Sequence, residues 1–129
     1  MRPPPSGCAK CGGGDAETAW VAGRLRWLHR LVDESHFDLA ITACECGQAF
    51  VKVFTECIDW VNGEDDQTSM LLPIHADEVQ PLVACPAPDL VDAITQLATG
   101  RRFVLHRYPT GGVLRTAWRD GGFWIGPHD

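Results

Sequence analysis

Two short cysteine pairs constrain this chain more than any other feature. Cys8-Ala9-Lys10-Cys11-Gly12 and Cys44-Glu45-Cys46-Gly47 each turn two thiols toward one point. The glycine after the second cysteine of each pair allows a left-handed backbone there. The 129 residues include six cysteines, an even number that would suit disulfides in a secreted protein. The N-terminus, Met1-Arg2-Pro3-Pro4-Pro5-Ser6-Gly7, has no apolar h-region, so no signal peptide is expected. The expected compartment is then the reducing cytoplasm, where disulfides are rare. Four thiolates delivered by two turns match the tetrahedral demand of Zn²⁺.

These residues resemble the paired knuckles of zinc-ribbon and treble-clef proteins. The resemblance is one of class and is confined to the two motifs. It departs from the usual pattern in the single residue between Cys44 and Cys46, and in the 32 residues between Cys11 and Cys44. It implies that Cys8, Cys11, Cys44 and Cys46 hold a structural Zn²⁺. A catalytic zinc keeps an open position and recruits histidine or carboxylate, and four cysteines leave none open. Redox use of Cys8 and Cys11 is disfavoured because no βαβ pattern surrounds them. Cys57 and Cys85 are expected as small buried hydrophobes, although either could replace a knuckle cysteine.

Hydrophobic periodicity places the remaining elements. Asp15 suits an N-cap, with Glu17 in the first turn. Val21, Leu25, Leu28 and Val32 recur at steps of four, three and four, which predicts an amphipathic helix over 16–34. Phe37, Leu39, Ile41 and Ala43 alternate with His36, Asp38, Ala40 and Thr42, which predicts a strand. A second strand is expected over 48–60, with Phe50, Phe54, Ile58 and Trp60 on one face. The Cys44–Cys46 motif would then sit at the tip of a β-hairpin. Asn62-Gly63 opens a polar turn, and a third strand spans 69–74.

A short helix is expected over 76–84, interrupted or ended near Pro81. Asp89 is expected to cap a further helix carrying Leu90, Ile94 and Leu97, which Gly100 closes as its C′ residue. A C-terminal meander follows, with strands over 103–108, 113–118 and 123–125. The fold class expected is α+β: antiparallel sheet, two or three helices and a zinc-knuckle hairpin. One domain spans 1–129, with residues 1–7 a flexible tail.

The net charge of -6 conceals a strong asymmetry. Residues 33–92 hold thirteen acids and one base, Lys52; the rest hold ten bases and four acids. An acidic middle is a poor phosphate-binding surface and suits a basic protein partner. Arg101, Arg102, Arg107, Arg115 and Arg119 are interleaved with Phe103, Tyr108, Trp118, Phe123 and Trp124. A basic, aromatic sheet of that kind can stack single-stranded nucleic acid; alternatively the aromatics fill the core and the arginines face water. No run approaches the ~20 apolar residues of a membrane span.

The chain has no H-E-x-x-H, G-x-S-x-G, Walker loop or dinucleotide fingerprint. His75-Ala76-Asp77-Glu78 is better explained as a helix start than as an acid–base cluster. Binding is therefore expected ahead of catalysis. The leading expectation is a protein-binding or adaptor module of bacterial type, stiffened by zinc and of immunity or antitoxin character. The alternative is a nucleic-acid-associated zinc-ribbon protein using the C-terminal meander.

Overall fold

A computed structural model describes residues 5–57, 61, 66–109 and 114–125. Helix α1 (Ala16–Gly23) is followed by strands β1 (Arg26–Glu34), β2 (Phe37–Ala43), β3 (Ala49–Cys57) and β4 (Asp66–Ile74). Helices α2 (Ala76–Ala84) and α3 (Ala87–Ala98) come next, then β5 (Arg102–Pro109) and β6 (Arg115–Asp120). The six strands form one antiparallel sheet in the order β1-β2-β3-β4-β5-β6. Six antiparallel strands with three helices make the fold α+β. No helix among the described residues is long and apolar enough to cross a membrane.

The sheet is buried on both faces. Leu39, Ile41, Val51, Val53, Met70 and Leu72 meet Leu82, Leu90 and Ile94 of α2 and α3 on one face. Phe50, Leu71 and Val104 meet Ala19 and Trp20 of α1 on the other, together with Cys11 and Cys44. Alternation along β2 and β3 sends neighbouring residues to opposite faces, and both faces of these central strands are covered.

Several local expectations hold. Asp15 caps α1 by accepting the Thr18 N–H at 2.9 Å. The strand expected over 37–43 is β2, and the helix expected over 76–84 is α2. Glu78 accepts the His75 N–H at 2.8 Å, so His75-Ala76-Asp77-Glu78 is indeed a helix start. Gly100 follows α3 with φ 75°.

Four expectations need correction. The helix expected over 16–34 ends at Gly23, and 26–34 is strand β1. A Cβ at Gly23 would lie 2.9 Å from Leu71 Cδ1 and 3.2 Å from the Phe50 ring, so a larger residue there would have to displace these core side chains. The pairing of β1 with β2 shifts between Trp27 and His29 and again between Arg30 and Val32. Each bulge adds one residue to β1, and its half-buried residues are His29, Leu31 and Val32, while Val21, Leu25 and Leu28 of the expected stripe are exposed.

The third C-terminal strand, expected over 123–125, is absent: this segment is irregular. Gly121 and Gly122 are both left-handed, with φ 86° and 74°. They turn the chain back so that Phe123 meets Phe103 edge-on at 5.2 Å. Asp89 lies in the first turn of α3, whose N-cap is Pro86, because Pro86 and Pro88 preset the entry angle. Helix α2 runs through Pro81 instead of stopping there. Ile58, Trp60, Asn62, Gly63 and Val113 lie outside the described residues.

Candidate metal centre

The two cysteine motifs arrive from different elements. Cys8 and Cys11 occupy the turn that leads into α1. The N–H groups of Gly12 and Gly13 both donate to the Cys8 carbonyl, at 2.8 and 3.2 Å. The Cys8 N–H donates to Cys11 Sγ at 3.3 Å. Cys44 and Cys46 occupy the turn between β2 and β3, closed by Cys44 N–H to Gln48 O at 3.0 Å and Gly47 N–H to Cys44 O at 2.9 Å.

The fold brings all four sulfurs together. Cys8 Sγ lies 3.6 Å from Cys11 Sγ and 3.7 Å from Cys44 Sγ, and Cys11 Sγ lies 3.8 Å from Cys46 Sγ. All four lie within 4.8 Å of one another and could hold a metal ion. These separations are far beyond a disulfide bond of about 2.05 Å. Cys11 and Cys44 are buried against Trp20 and Phe50, Cys8 is half-buried and Cys46 is exposed. The group is thus rooted in the apolar layer under α1 and reaches solvent at one corner.

The sulfurs differ in their readiness to ionise. The backbone N–H groups of Cys11 and Lys10 point at Cys8 and lower its thiol to about 6. Burial pushes the Cys11 and Cys44 thiols up. Buried sulfurs of this kind hold their protons until a cation compensates the charge. Lys10 and Glu45 bridge the two turns at 3.2 Å, and Glu45 raises the Lys10 ammonium.

The glycines behave differently from one another. Gly47 is left-handed, φ 97°, as expected after Cys46. Gly12 is not; it is glycine because a Cβ there would lie 1.7 Å from Ser6 O. The second left-handed residue is Gly7, φ 63°, and a Cβ on it would lie 2.5 Å from Cys11 Sγ. Sequence reasoning left Gly7 in the tail, although a glycine directly before a motif cysteine was the available signal. Gln48 was missed as well: its amide donates to Ala49 O at 2.7 Å and Ile74 O at 2.8 Å, pinning the second turn to β4.

The C-terminal meander clamps the first cysteine turn. The Arg102 guanidinium donates to Gly12 O and lies 3.8 Å over the Trp118 ring. The Trp118 indole N–H donates to Gly14 O at 3.0 Å. Arg101 pairs with Glu78 at 2.7 Å, Arg107 pairs with Asp66, and Phe103 is in the α2/α3 core. Of the interleaved arginines and aromatics, Arg102, Arg107, Arg115, Arg119, Tyr108 and Trp124 are exposed. Cys57 stands exposed at the end of β3, contrary to the expectation of a core thiol, because the core beneath that strand stops at Thr55. Cys85 is half-buried beside the α2/α3 core. Comparison with protein-family models, curated proteins and solved structures finds no match for this chain.

Proposed function

We propose that Cys8, Cys11, Cys44 and Cys46 hold one structural Zn²⁺, and that the chain is a non-enzymatic protein-binding module stiffened by it. The sulfur spacing carries the metal reading. A Zn–S bond of ~2.3 Å in a tetrahedron requires sulfur separations of about 3.8 Å; three of the separations here are 3.6, 3.7 and 3.8 Å, and all lie within 4.8 Å. Four thiolates close the coordination shell and leave no position for a substrate or an activated water. When bound, the ion supplies charge neutralisation and a cross-link between the two turns; the zinc-knuckle hairpin is then the β2–β3 turn. Elemental analysis of protein prepared without chelator should find one zinc per chain, and finding none would overturn the reading.

The groove beside the centre supports a reading of the partner surface. A cavity of about 560 Å³ lies between α1 and the β2–β3 turn, with Val21, Ala22 and Leu25 as its apolar wall. Val21 and Leu25 are each 57% exposed, and Asp15, Glu17 and Glu45 form an acidic rim with Lys10 as its one base. This surface complements a partner segment with an apolar side chain flanked by lysine or arginine, as a small acidic inhibitor of immunity or antitoxin type would need. Panning a random peptide library on zinc-loaded protein tests this. Enrichment of apolar-plus-basic motifs that Leu25→Asp abolishes is the expected result. Enrichment indifferent to that substitution, or none, would discard the surface.

A further inference from the structure

The sheet face that α2 and α3 cover continues past their core. Val53 pairs with Met70 and Met70 with Leu105; two residues on, Thr55 pairs with Thr68 and Thr68 with Arg107. Period-two alternation puts both rows on the same face. The left-handed pair Gly121-Gly122 turns the chain back at this end, and Phe123 anchors it edge-on to Phe103. The strands and the returning chain bound a cavity of about 500 Å³, within the ~300–1,000 Å³ of small-molecule sites.

The cavity has an apolar floor. Met70 and Phe103 belong to the core, and Leu105 packs against it. Trp124 stands at the wall, 69% exposed. Two polar groups lie at opposite ends of this floor. Thr55, on β3, is only 6% exposed and lines the cavity, and its hydroxyl has no hydrogen-bond partner among the described residues. That hydroxyl is not sealed in: Asp38 Oδ1 is the one fully buried side-chain oxygen or nitrogen without a partner among the described residues. A buried hydroxyl open to a cavity calls for a partner there. Arg119, on β6 beside Phe103, also lines the cavity and makes no ion pair or ring contact among the described residues. Three strand spacings separate the two residues, roughly 14 Å.

The other charges of the wall are already matched. Arg107 pairs with Asp66 and holds that carboxyl below its ordinary value. Thr68 donates to Asp66 as well, at 3.2 Å. The described wall therefore carries two guanidiniums and one carboxylate, an excess of one positive charge. A neutral ligand would leave Arg119 uncompensated, and a phosphate dianion would exceed that single charge beside Asp66. We propose that this cavity binds an elongated apolar monocarboxylate with a hydroxyl at its far end. The carboxylate accepts from the Arg119 guanidinium, whose planar fork fits it. The apolar body lies on Phe103, Leu105 and Met70, and the far hydroxyl pairs with that of Thr55. The cavity is on the opposite face from the groove of Val21 and Leu25 and uses none of the four clustered cysteines. It stands or falls apart from the metal and partner readings.

Calorimetric titration of the full chain tests the proposal, with ω-hydroxydecanoate and p-hydroxyphenylpropanoate as probes. Saturable binding at one site per chain is expected. Binding of the aliphatic probe alone assigns a chain-like ligand, of the aromatic probe alone a ring, and of both the whole class. Arg119→Gln should weaken binding about ten- to 150-fold, the worth of a hydrogen bond to a charged group, and leave the corresponding amide unaffected. Thr55→Val should weaken it about two- to tenfold, the worth of a neutral hydrogen bond. It should leave decanoate and phenylpropanoate, which lack the hydroxyl, unaffected, and Thr55→Ser should restore the loss. Arg119 is exposed and serine keeps the hydroxyl, so an unchanged unfolding temperature certifies these variants. The exposed Cys57 thiol lines the cavity, so bound probe should slow its alkylation relative to that of Cys85. Failure of both probes to bind overturns the proposal, as does binding indifferent to either Arg119→Gln or Thr55→Val, or alkylation of Cys57 that the probes leave unchanged.

Discussion

The two faces of the sheet are covered by different means. On one, α2 and α3 bring Leu82, Leu90 and Ile94 onto a wide apolar surface, and hydrophobic burial is the dominant force. On the other, the eight-residue α1 offers little beyond Ala19 and Trp20, and the buried cluster ends in Cys11 and Cys44. Isolated helices this short are marginal in water. The four sulfurs meet beneath α1, and Arg102 and Trp118 grip the first turn. One face is covered by a wide apolar core; on the other, the proposed zinc would add the cross-link that so small a core lacks.

That contrast can be broken most severely at the metal. Cys44→Ala should abolish zinc binding and release α1. Structural zinc binding is worth about 10–16 kcal/mol in small fingers, but the α2/α3 core should survive as partial structure. Far-ultraviolet circular dichroism with zinc analysis would show it: full unfolding would mean that the two layers are not separable. Ile94→Ala tests the opposite face. It should cost about 2–5 kcal/mol in denaturant unfolding, while zinc stoichiometry stays at one.

The smallest effect is electrostatic and sharpens the link between the faces' edges. Arg101 donates to both Glu78 oxygens, at 2.8 and 2.7 Å, and to Pro73 O at 3.1 Å. Burial raises the Glu78 carboxyl, but Arg101 and the His75 N–H outweigh it and hold the carboxyl below its ordinary value. A depressed carboxyl contributes stability that is complete above the unfolded value of about 4.3 and is lost as pH falls through the folded one. Glu78→Gln should therefore cost about 1–3 kcal/mol at neutral pH. The gap to the unsubstituted chain should close below roughly pH 4. Zinc release on acidification is common to both chains and cancels in the difference. A gap that persists to low pH would mean that the pair is not the source.

Much of the local structure was legible because the responsible forces are local. The side chain of Asp15 reaches only its own helix. The period-two alternation of β2 reflects a strand in continuous register with β3; on its other side the extra residues of the bulges lie in β1. The cysteine motifs announced the candidate metal centre because their spacing bends the backbone within a few residues. The stripe of Val21, Leu25, Leu28 and Val32 misled because three of its four residues are exposed and because residues 26–34 are held by pairing with β2, a long-range contact that no local rule anticipates. Gly7 escaped notice because its constraint is a close approach to Cys11 Sγ, visible only once the turn is closed.

The charge asymmetry shows the same division. The acidic middle and basic flanks are plain in the sequence, and they suggested an external basic partner. The fold consumes much of that asymmetry internally. Lys10–Glu45, Arg30–Asp38, Arg101–Glu78 and Arg107–Asp66 each join a basic flank to the acidic middle. By itself the sequence determined which residues carry the thiols and the charges, and where the strongest turns and caps fall. Only the tertiary structure decided that 26–34 pairs as a strand, that four sulfurs meet, and which charges pair with one another. Those outcomes depend on contacts between segments far apart in the chain, and burial and pairing at that range override local preference.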